Sequence, residues 1–85
     1  MDRYFSIGEM AKLYNVSVET LRHYDRLDLL KPDYMKEKTG YRYYSIKSFL
    51  KMDLIKRCKA IGLSLDEIKE IIDEYTSLES VLRII

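Results

Sequence analysis

The chain has 85 residues and a mass of 10.2 kDa, and its 15 Lys and Arg residues against 14 Asp and Glu residues give a formal net charge of only +1. This length allows one small domain with little room for a substrate pocket, which disfavours an enzyme. No apolar run exceeds two residues, so the sequence predicts neither a membrane-spanning helix nor the core of a signal peptide.

The first predicted helix begins at a capping box. Ser6 is the N-cap, Glu9 is the partner three residues on, and the helix runs to about Tyr14. Asn15 then supplies the left-handed conformation that ends a helix and turns the chain. The residues at helical spacing on its inner face are Ile7, Met10, Ala11 and Tyr14.

A second helix follows almost at once. Ser17 is its N-cap, and the helix is predicted from Val18 to about Asp28, with Leu21, Tyr24 and Leu27 facing inward. The exposed positions are then Ser17, Val18, Glu19, Thr20, Arg22, His23 and Arg26. Two short helices joined by three or four residues predict a helix-turn-helix.

The next segment predicts a two-stranded hairpin. Pro32 stops the second helix, residues 33–35 and 41–44 read as short strands, and Gly40 in the connection is free to adopt positive φ. Alternation places Tyr41 and Tyr43 on one face of the second strand, and Arg42 and Tyr44 on the other. We expect Tyr41 and Tyr43 to be packing residues.

The third helix is expected to begin at Ser45 as its cap and to end at Gly62. Its predicted buried stripe, with Phe49 and Ile55 beside it, consists of Ile46, Leu50, Leu54, Cys58 and Ile61. Cys58 is therefore interpreted as a small core residue. Because the chain has no second cysteine to form a metal motif with it, we expect no metal site, and we also expect no cofactor.

Two further capping boxes predict two more helices. Residues 64–67 open a fourth helix that reaches about Tyr75, and residues 76–79 open a last one. The last helix has an apolar stripe predicted to meet a partner helix, made of Leu78, Val81, Leu82 and Ile85. We therefore divide the chain into a winged helix-turn-helix over residues 1–75 and the truncated start of a dimerisation coiled-coil helix over residues 76–85.

The small net charge hides a strong asymmetry along the chain. Residues 1–62 hold 13 basic and 8 acidic side chains, a net charge of +5, whereas residues 63–85 hold 2 and 6, a net charge of −4. Within residues 36–59 the net charge is +6. This distribution predicts that the body of the chain meets a polyanion and that its tail does not.

A helix-turn-helix followed by a basic hairpin favours duplex DNA, whose major groove admits one helix. The residues predicted to contact it on the second helix are Ser17, Val18, Thr20, Arg22, His23 and Arg26. Those predicted on the hairpin and third helix are Lys36 or Lys38, Arg42, Lys56, Arg57 and Lys59, with hydroxyls such as that of Tyr44 available to phosphate. We find no paired carboxylates, nucleophile triad, phosphate loop or metal spacing that would indicate catalysis.

Several segments together resemble the MerR family of bacterial transcription regulators, and most of all its multidrug-sensing, BmrR-like branch. They are YFSIGE at 4–9, VSVETLRHYD at 16–25, LLKP at 29–32, TGYRYY at 39–44 and IGLSLDEI at 61–68. By matching position the resemblance implies DNA contacts at Arg22, His23, Tyr24, Arg42 and Lys59. His23 departs from the Tyr or Phe that is usual in the family, and Tyr24 is equally suited to the core.

The resemblance also implies how such a protein works. Family members are homodimers, held by an antiparallel coiled coil, that bind a pseudo-palindromic operator in promoter DNA in the cytoplasm, at the nucleoid. They distort the promoter spacer so that RNA polymerase engages both promoter elements, and so meet the polymerase only indirectly. Because the predicted last helix has only about ten residues, we expect this chain to be monomeric or a weak dimer.

Two alternatives fit the same residues. An excisionase-like architectural protein shares this fold and size and also binds DNA. A protein-interaction adaptor, from a different class, would use the apolar last helix instead. Binding to a coiled-coil partner without binding to any duplex DNA would favour the adaptor.

Overall fold

The computed structural model describes the backbone of residues 3–84 and the side chains of residues 3–74. Its elements are, in chain order, β1 (Tyr4–Ser6), α1 (Ile7–Tyr14), α2 (Val18–Arg26), β2 (Tyr34–Met35), β3 (Arg42–Ser45), α3 (Lys47–Ala60) and α4 (Leu65–Ile84). The predicted fold class, a mainly α winged helix-turn-helix, is confirmed. The sheet has three strands where the sequence predicts two.

The ends of α1 are held by the predicted local hydrogen bonds. The Ser6 hydroxyl accepts from the Glu9 N–H at 3.1 Å, and the Glu9 carboxylate accepts from the Ser6 N–H at 2.9 Å. Asn15 has φ 53° and ψ 47°, the left-handed conformation that ends the helix after Tyr14. Both boundaries of α1 are therefore confirmed.

The second helix begins as predicted but ends earlier. The Ser17 hydroxyl accepts from the Thr20 N–H at 3.0 Å. The helix stops at Arg26 because Asp28 has a left-handed φ of 58°, and Leu27 is exposed rather than turned inward. Only three residues separate α1 from α2, so the two helices form the predicted helix-turn-helix.

The additional strand, β1, lies before the first helix. The strand order is β1-β3-β2 with both pairings antiparallel, so β3 is central and Phe5 lies opposite Tyr44. Because side chains alternate along β3, Arg42 and Tyr44 face the helices while Tyr43 faces out. The Tyr34 ring packs on Tyr43 with ring centroids 5.9 Å apart.

Tyr41 corrects one expectation about this hairpin. Tyr41 is 64% exposed and precedes β3, so the prediction that it packs against the domain is wrong. The alternation of Arg42 and Tyr43 is confirmed, and it turns Arg42 toward Asp25 of α2.

The predicted buried stripe of α3 is wrong in part. Ile46, Leu50 and Ile61 are exposed to 67%, 68% and 78%, and Leu54 is half-buried. The side chains that α3 buries are those of Ser48, Met52, Ile55 and Cys58, of which only Cys58 was assigned to the stripe. The true inner face is rotated by roughly a third of a turn from the predicted one.

The predicted cap at the start of α3 is confirmed, because the Ser45 hydroxyl accepts from the Lys47 N–H at 3.3 Å although Ser45 belongs to β3. Ile46, which lies between them, makes no side-chain capping bond. The Asp33 carboxylate adds a second set of bonds there, since it accepts from the Ser45 N–H at 2.7 Å and from the Ser48 hydroxyl at 3.0 Å. Burial raises the pKa of Asp33, but the hydrogen bonds from Ser45 and Ser48 and the charge of Lys51 together lower it by more, so the pKa lies below its ordinary value.

The fourth helix is longer than expected. Its capping box is confirmed by the Glu67 N–H donating to the Ser64 hydroxyl at 3.2 Å and the Ser64 N–H donating to the Glu67 carboxylate at 3.0 Å. The helix then continues through Thr76 to Ile84, so the separate helix predicted from Thr76 is wrong. In the described part of the chain, no helix combines the length and apolarity needed to cross a membrane.

Tyr44 lies at the centre of the core, which corrects its assignment as a DNA contact. Its side chain is fully buried, and its hydroxyl has no hydrogen-bond partner among the described residues. Burial raises the pKa of this hydroxyl to about 12. The inward direction of alternate β3 residues, which brings Arg42 to the helices, also removes Tyr44 from the surface.

We expect Tyr44→Phe to leave the free energy of unfolding unchanged or to raise it by up to about 1 kcal/mol, since it keeps the ring and removes an unpaired buried hydroxyl. Urea unfolding of the two chains measures the difference. Tyr43→Phe, on the outward face, is the matched control and should also be close to neutral. A loss above about 1 kcal/mol for Tyr44→Phe would contradict the expectation.

Candidate nucleic-acid interface

The outer side of α2 carries four exposed polar side chains at helical spacing. They are Glu19, Arg22, His23 and Arg26, at positions i, i+3, i+4 and i+7, which we name the recognition face. The opposite side of α2 buries Leu21 and Tyr24, and this burial holds the recognition face toward solvent. The predicted exposure of Arg22, His23 and Arg26 is confirmed.

The first turn of α2 is less free than the sequence indicates. The hydroxyls of Ser17 and Thr20 lie 2.8 Å apart and bond to each other, while Ser17 also caps the helix. Val18 is half-buried against the core. These three residues shape the beginning of the recognition face, and their contact with DNA stays a prediction.

Glu19 is the member of the recognition face to which the sequence analysis gives no role. Its carboxylate oxygens lie 3.1 Å from Arg26 Nη2 and 3.7 Å from Arg22 Nη1. All three side chains are exposed, so these ion pairs contribute little stability, typically about 0–1 kcal/mol. The spacing of 19, 22 and 26 along one helix is the signal from which the contacts follow.

The wing is joined to the recognition helix by a charged junction at Asp25. Its carboxylate accepts from Arg42 Nε at 3.0 Å and from Lys31 Nζ at 3.1 Å. Burial raises the pKa of Asp25, but the hydrogen bonds and the positive charges of Arg42 and Lys31 together lower it by more, so the pKa lies below its ordinary value. The junction fixes the orientation of the wing relative to α2.

Arg42 therefore has Asp25 as a partner within the domain as well as DNA as a predicted partner. Its side chain is half-buried, and among the described residues its guanidinium donates to Asp25 through Nε alone. A guanidinium has five N–H donors, so donors remain for a phosphate. That Arg42 contacts DNA remains a prediction.

The tip of the wing carries Lys36 and Lys38, both exposed. The Lys36 N–H donates to the Tyr41 carbonyl at 2.9 Å, and the Gly40 N–H donates to the Lys36 carbonyl at 2.7 Å. Gly40 has φ 71°, a conformation that glycine adopts without strain. The loop thus places two lysines at the end of a hairpin that Asp25 anchors.

A shallow groove runs between the recognition helix and the end of α3. Its lining residues are Ser17, Glu19, Thr20, His23, Tyr24, Arg26, Lys59 and Leu65. Lys59 Nζ donates to the Tyr24 hydroxyl at 3.4 Å and lies 6.0 Å from the centre of its ring. Lys59 is thereby brought to the recognition face, whereas the Tyr24 ring is core and offers only its hydroxyl.

The basic residues at the end of α3 do not all point the same way. Arg57 points about 100° from Lys56 and about 160° from Lys59, whereas Lys56 and Lys59, three residues apart, lie on one side of the helix. Lys56 Nζ donates to the carbonyl of Tyr14 at the end of α1, where a cation is favoured. The structure brings only Lys59 of the three to the groove.

The residues predicted to pair with a second copy lie mostly in α4. The backbone of Leu78, Val81 and Leu82 is helical, while their side chains and all of Ile85 lie outside the described residues. Their role in dimerisation stays a prediction.

A protein-family profile described as MerR HTH family regulatory protein matches residues 5–75 of the chain. The chain is 49% identical over 69 residues to the multidrug-efflux transporter 1 regulator of Bacillus subtilis, and 42% identical over 74 residues to the transporter 2 regulator of the same bacterium. These matches cover 81% and 87% of the chain but 25% and 27% of those regulators. The chain thus spans about a quarter of the length of the curated relatives it matches.

A solved structure extends the similarity to three dimensions. The N-terminus of the Bacillus subtilis multidrug transporter activator, MtaN, matches with a TM-score of 0.76 at 35% sequence identity. The match covers 94% of this chain and 79% of that chain. Together the comparisons confirm the resemblance that the sequence motifs predict, including the branch of multidrug regulators.

Proposed function

The chain belongs to the MerR family of helix-turn-helix regulatory proteins, and from this premise we propose that it is the sequence-reading DNA-binding domain of a bacterial transcription regulator. The observation that carries the proposal is the recognition face, which is held outward by buried Leu21 and Tyr24 and extended by Lys59. The proposed activity is regulatory and needs no catalytic group.

In this proposal α2 enters the major groove and the wing follows the backbone beside it. Arg22, Arg26 and Lys59 neutralise phosphates around the groove, and Lys36 or Lys38 does so at the wing tip. His23 and the start of α2 face base edges, where hydrogen bonds distinguish sequences. The Asp25 junction keeps the two contact regions in one arrangement.

The finer features follow the family and are part of the proposal. Two copies bind a pseudo-palindromic operator in promoter DNA, residues 76–85 contribute to the pairing, and distortion of the spacer affects RNA polymerase indirectly. The backbone of α4 supports this role because residues 76–84 continue one 20-residue helix, about 30 Å long, that begins in the domain. Such a protein acts in the cytoplasm, where bacterial promoters are.

Titration of the chain with duplex DNA over a series of salt concentrations tests the proposal. If four to six phosphates are neutralised, we expect log affinity to fall linearly with log salt, with a slope of about −4 to −5. A duplex selected from a random pool should still bind more tightly than its scrambled control at every salt. Equal affinity for both duplexes throughout would contradict a sequence-reading function.

A further inference from the structure

The recognition face has an acidic residue at its head, which is unexpected on a surface that meets a polyanion. Glu19 is exposed, with 67% of its side chain accessible, and it precedes Arg22, His23 and Arg26 on the same stripe. A carboxylate facing phosphates would oppose binding unless it were paired or used. Glu19 is paired, since each of its oxygens faces one arginine.

The pairing leaves the carboxylate competent as an acceptor. A carboxylate offers about four lone-pair sites, and the two arginines engage it at one oxygen each. Each arginine has further N–H donors that remain for phosphates. The contacts can therefore hold Glu19 in a fixed position and balance its charge while Arg22 and Arg26 grip the backbone.

The chemistry of the base edges decides what such an acceptor can read. In the major groove guanine shows only acceptors, and thymine shows an acceptor and a methyl group. Adenine shows a donor beside the N7 acceptor, whose lone pair opposes a carboxylate, whereas cytosine shows the N4 donor alone. A carboxylate therefore selects cytosine.

From these observations we propose that Glu19 is a specificity-determining residue that accepts a hydrogen bond from cytosine N4, oriented by Arg22 and Arg26. This inference rests on the proposed DNA-reading function. The alternative is that the negative charge of Glu19 only stabilises the N-terminal turn of α2. In that case Glu19 would have no influence on which base is bound.

Glu19→Gln separates these roles, because an amide has both a donor and an acceptor and matches the N6 and N7 pair of adenine. The matched control is Glu70→Gln, which removes the same charge from an exposed position of α4. Each of the three 85-residue chains is used to select duplexes from a random pool, and circular dichroism checks that the helical content is equal.

We expect the original chain and Glu70→Gln to enrich the same motif, and Glu19→Gln to change one C·G pair of it toward A·T. In competition between duplexes that differ at that pair, the preference for cytosine should fall roughly tenfold or invert only for Glu19→Gln. An unchanged motif and preference in Glu19→Gln would overturn the inference and leave the DNA-reading function intact. Failure of the original chain to enrich any motif would overturn both.

Discussion

Replacing Ile55 by alanine is expected to lower the free energy of unfolding by about 2–5 kcal/mol, because the substitution leaves a cavity in a fully buried part of the core. Ile55 lies on the inner face of α3 with Met52 and Cys58. For a domain of this size, a loss of 1 kcal/mol lowers the melting temperature by about 4–8 °C, so the effect is large in a thermal scan. Urea unfolding gives the free energy directly.

Leu50→Ala is the matched control on the same helix. Leu50 is 68% exposed, so its truncation should change the free energy of unfolding by less than about 0.5 kcal/mol. The apolar spacing read from the sequence predicts the reverse order, with Leu50 on the buried stripe. A larger loss for Leu50→Ala than for Ile55→Ala would therefore contradict the orientation of α3 in the structure.

The orientation of α3 illustrates what spacing does not determine. The helix has apolar side chains on more than one side, and both the Leu50 side and the Ile55 side have helical spacing. The choice between them depends on tertiary contacts with β3 and α4, which helical spacing does not specify. Burial of the small polar Ser48, bonded to Asp33, shows how such contacts place even a hydroxyl on the inner face.

The features predicted correctly are mostly local. The capping boxes at Ser6 and Ser64 and the left-handed Asn15 depend on bonds within a few residues, so the sequence contains their cause. The same reasoning fails at Thr76, where the chain continues as helix. A capping box competes there with helix propagation, which adds a hydrogen bond for each residue fixed.

Features that join distant residues were missed. β1 forms only by pairing with β3, about 40 positions away, and the residues around Tyr4 contain no turn or alternation pattern that predicts a strand. The Asp25 junction with Arg42 spans 17 positions, and the Asp33 bond to Ser48 spans 15. At the site itself, charge predicts the arginines of α2, whereas the contacts of Glu19 with Arg22 and Arg26 follow from its spacing of three and seven residues from them.

The length of α4 changes the reasoning about assembly. A separate last helix of about ten residues is marginal alone, and from this the sequence predicts a monomer or weak dimer. Residues 76–84 instead continue a 20-residue helix whose first turn is capped by Ser64 and which buries Ile68 and Ile72. The length of the helix therefore no longer disfavours pairing, and the assembly state of this chain remains a prediction.

Reversing both arginines of the recognition face, as Arg22→Glu with Arg26→Glu, should lower affinity for duplex DNA by about 100-fold or more near 0.1 M salt. The change removes two cations and places two further carboxylates beside Glu19, so phosphates meet repulsion where they now meet donors. The slope of log affinity against log salt should become shallower by about 2. Fluorescence anisotropy of a labelled duplex measures both quantities.

Lys47→Glu with Lys51→Glu provides a control with the same change in net charge. Lys47 lines a different groove with Arg3 and Tyr4, and Lys51 lies close enough to Asp33 to lower the pKa of its carboxyl. If the charge of the whole chain governed binding, both double variants would lose affinity equally. If α2 is the element that enters DNA, only the double arginine variant should show the large loss of affinity. The double lysine variant should lose affinity by less than about tenfold, because its added charges repel DNA only at long range and salt screens that repulsion. Equal losses would show that the basic body of the chain binds DNA without using the recognition face.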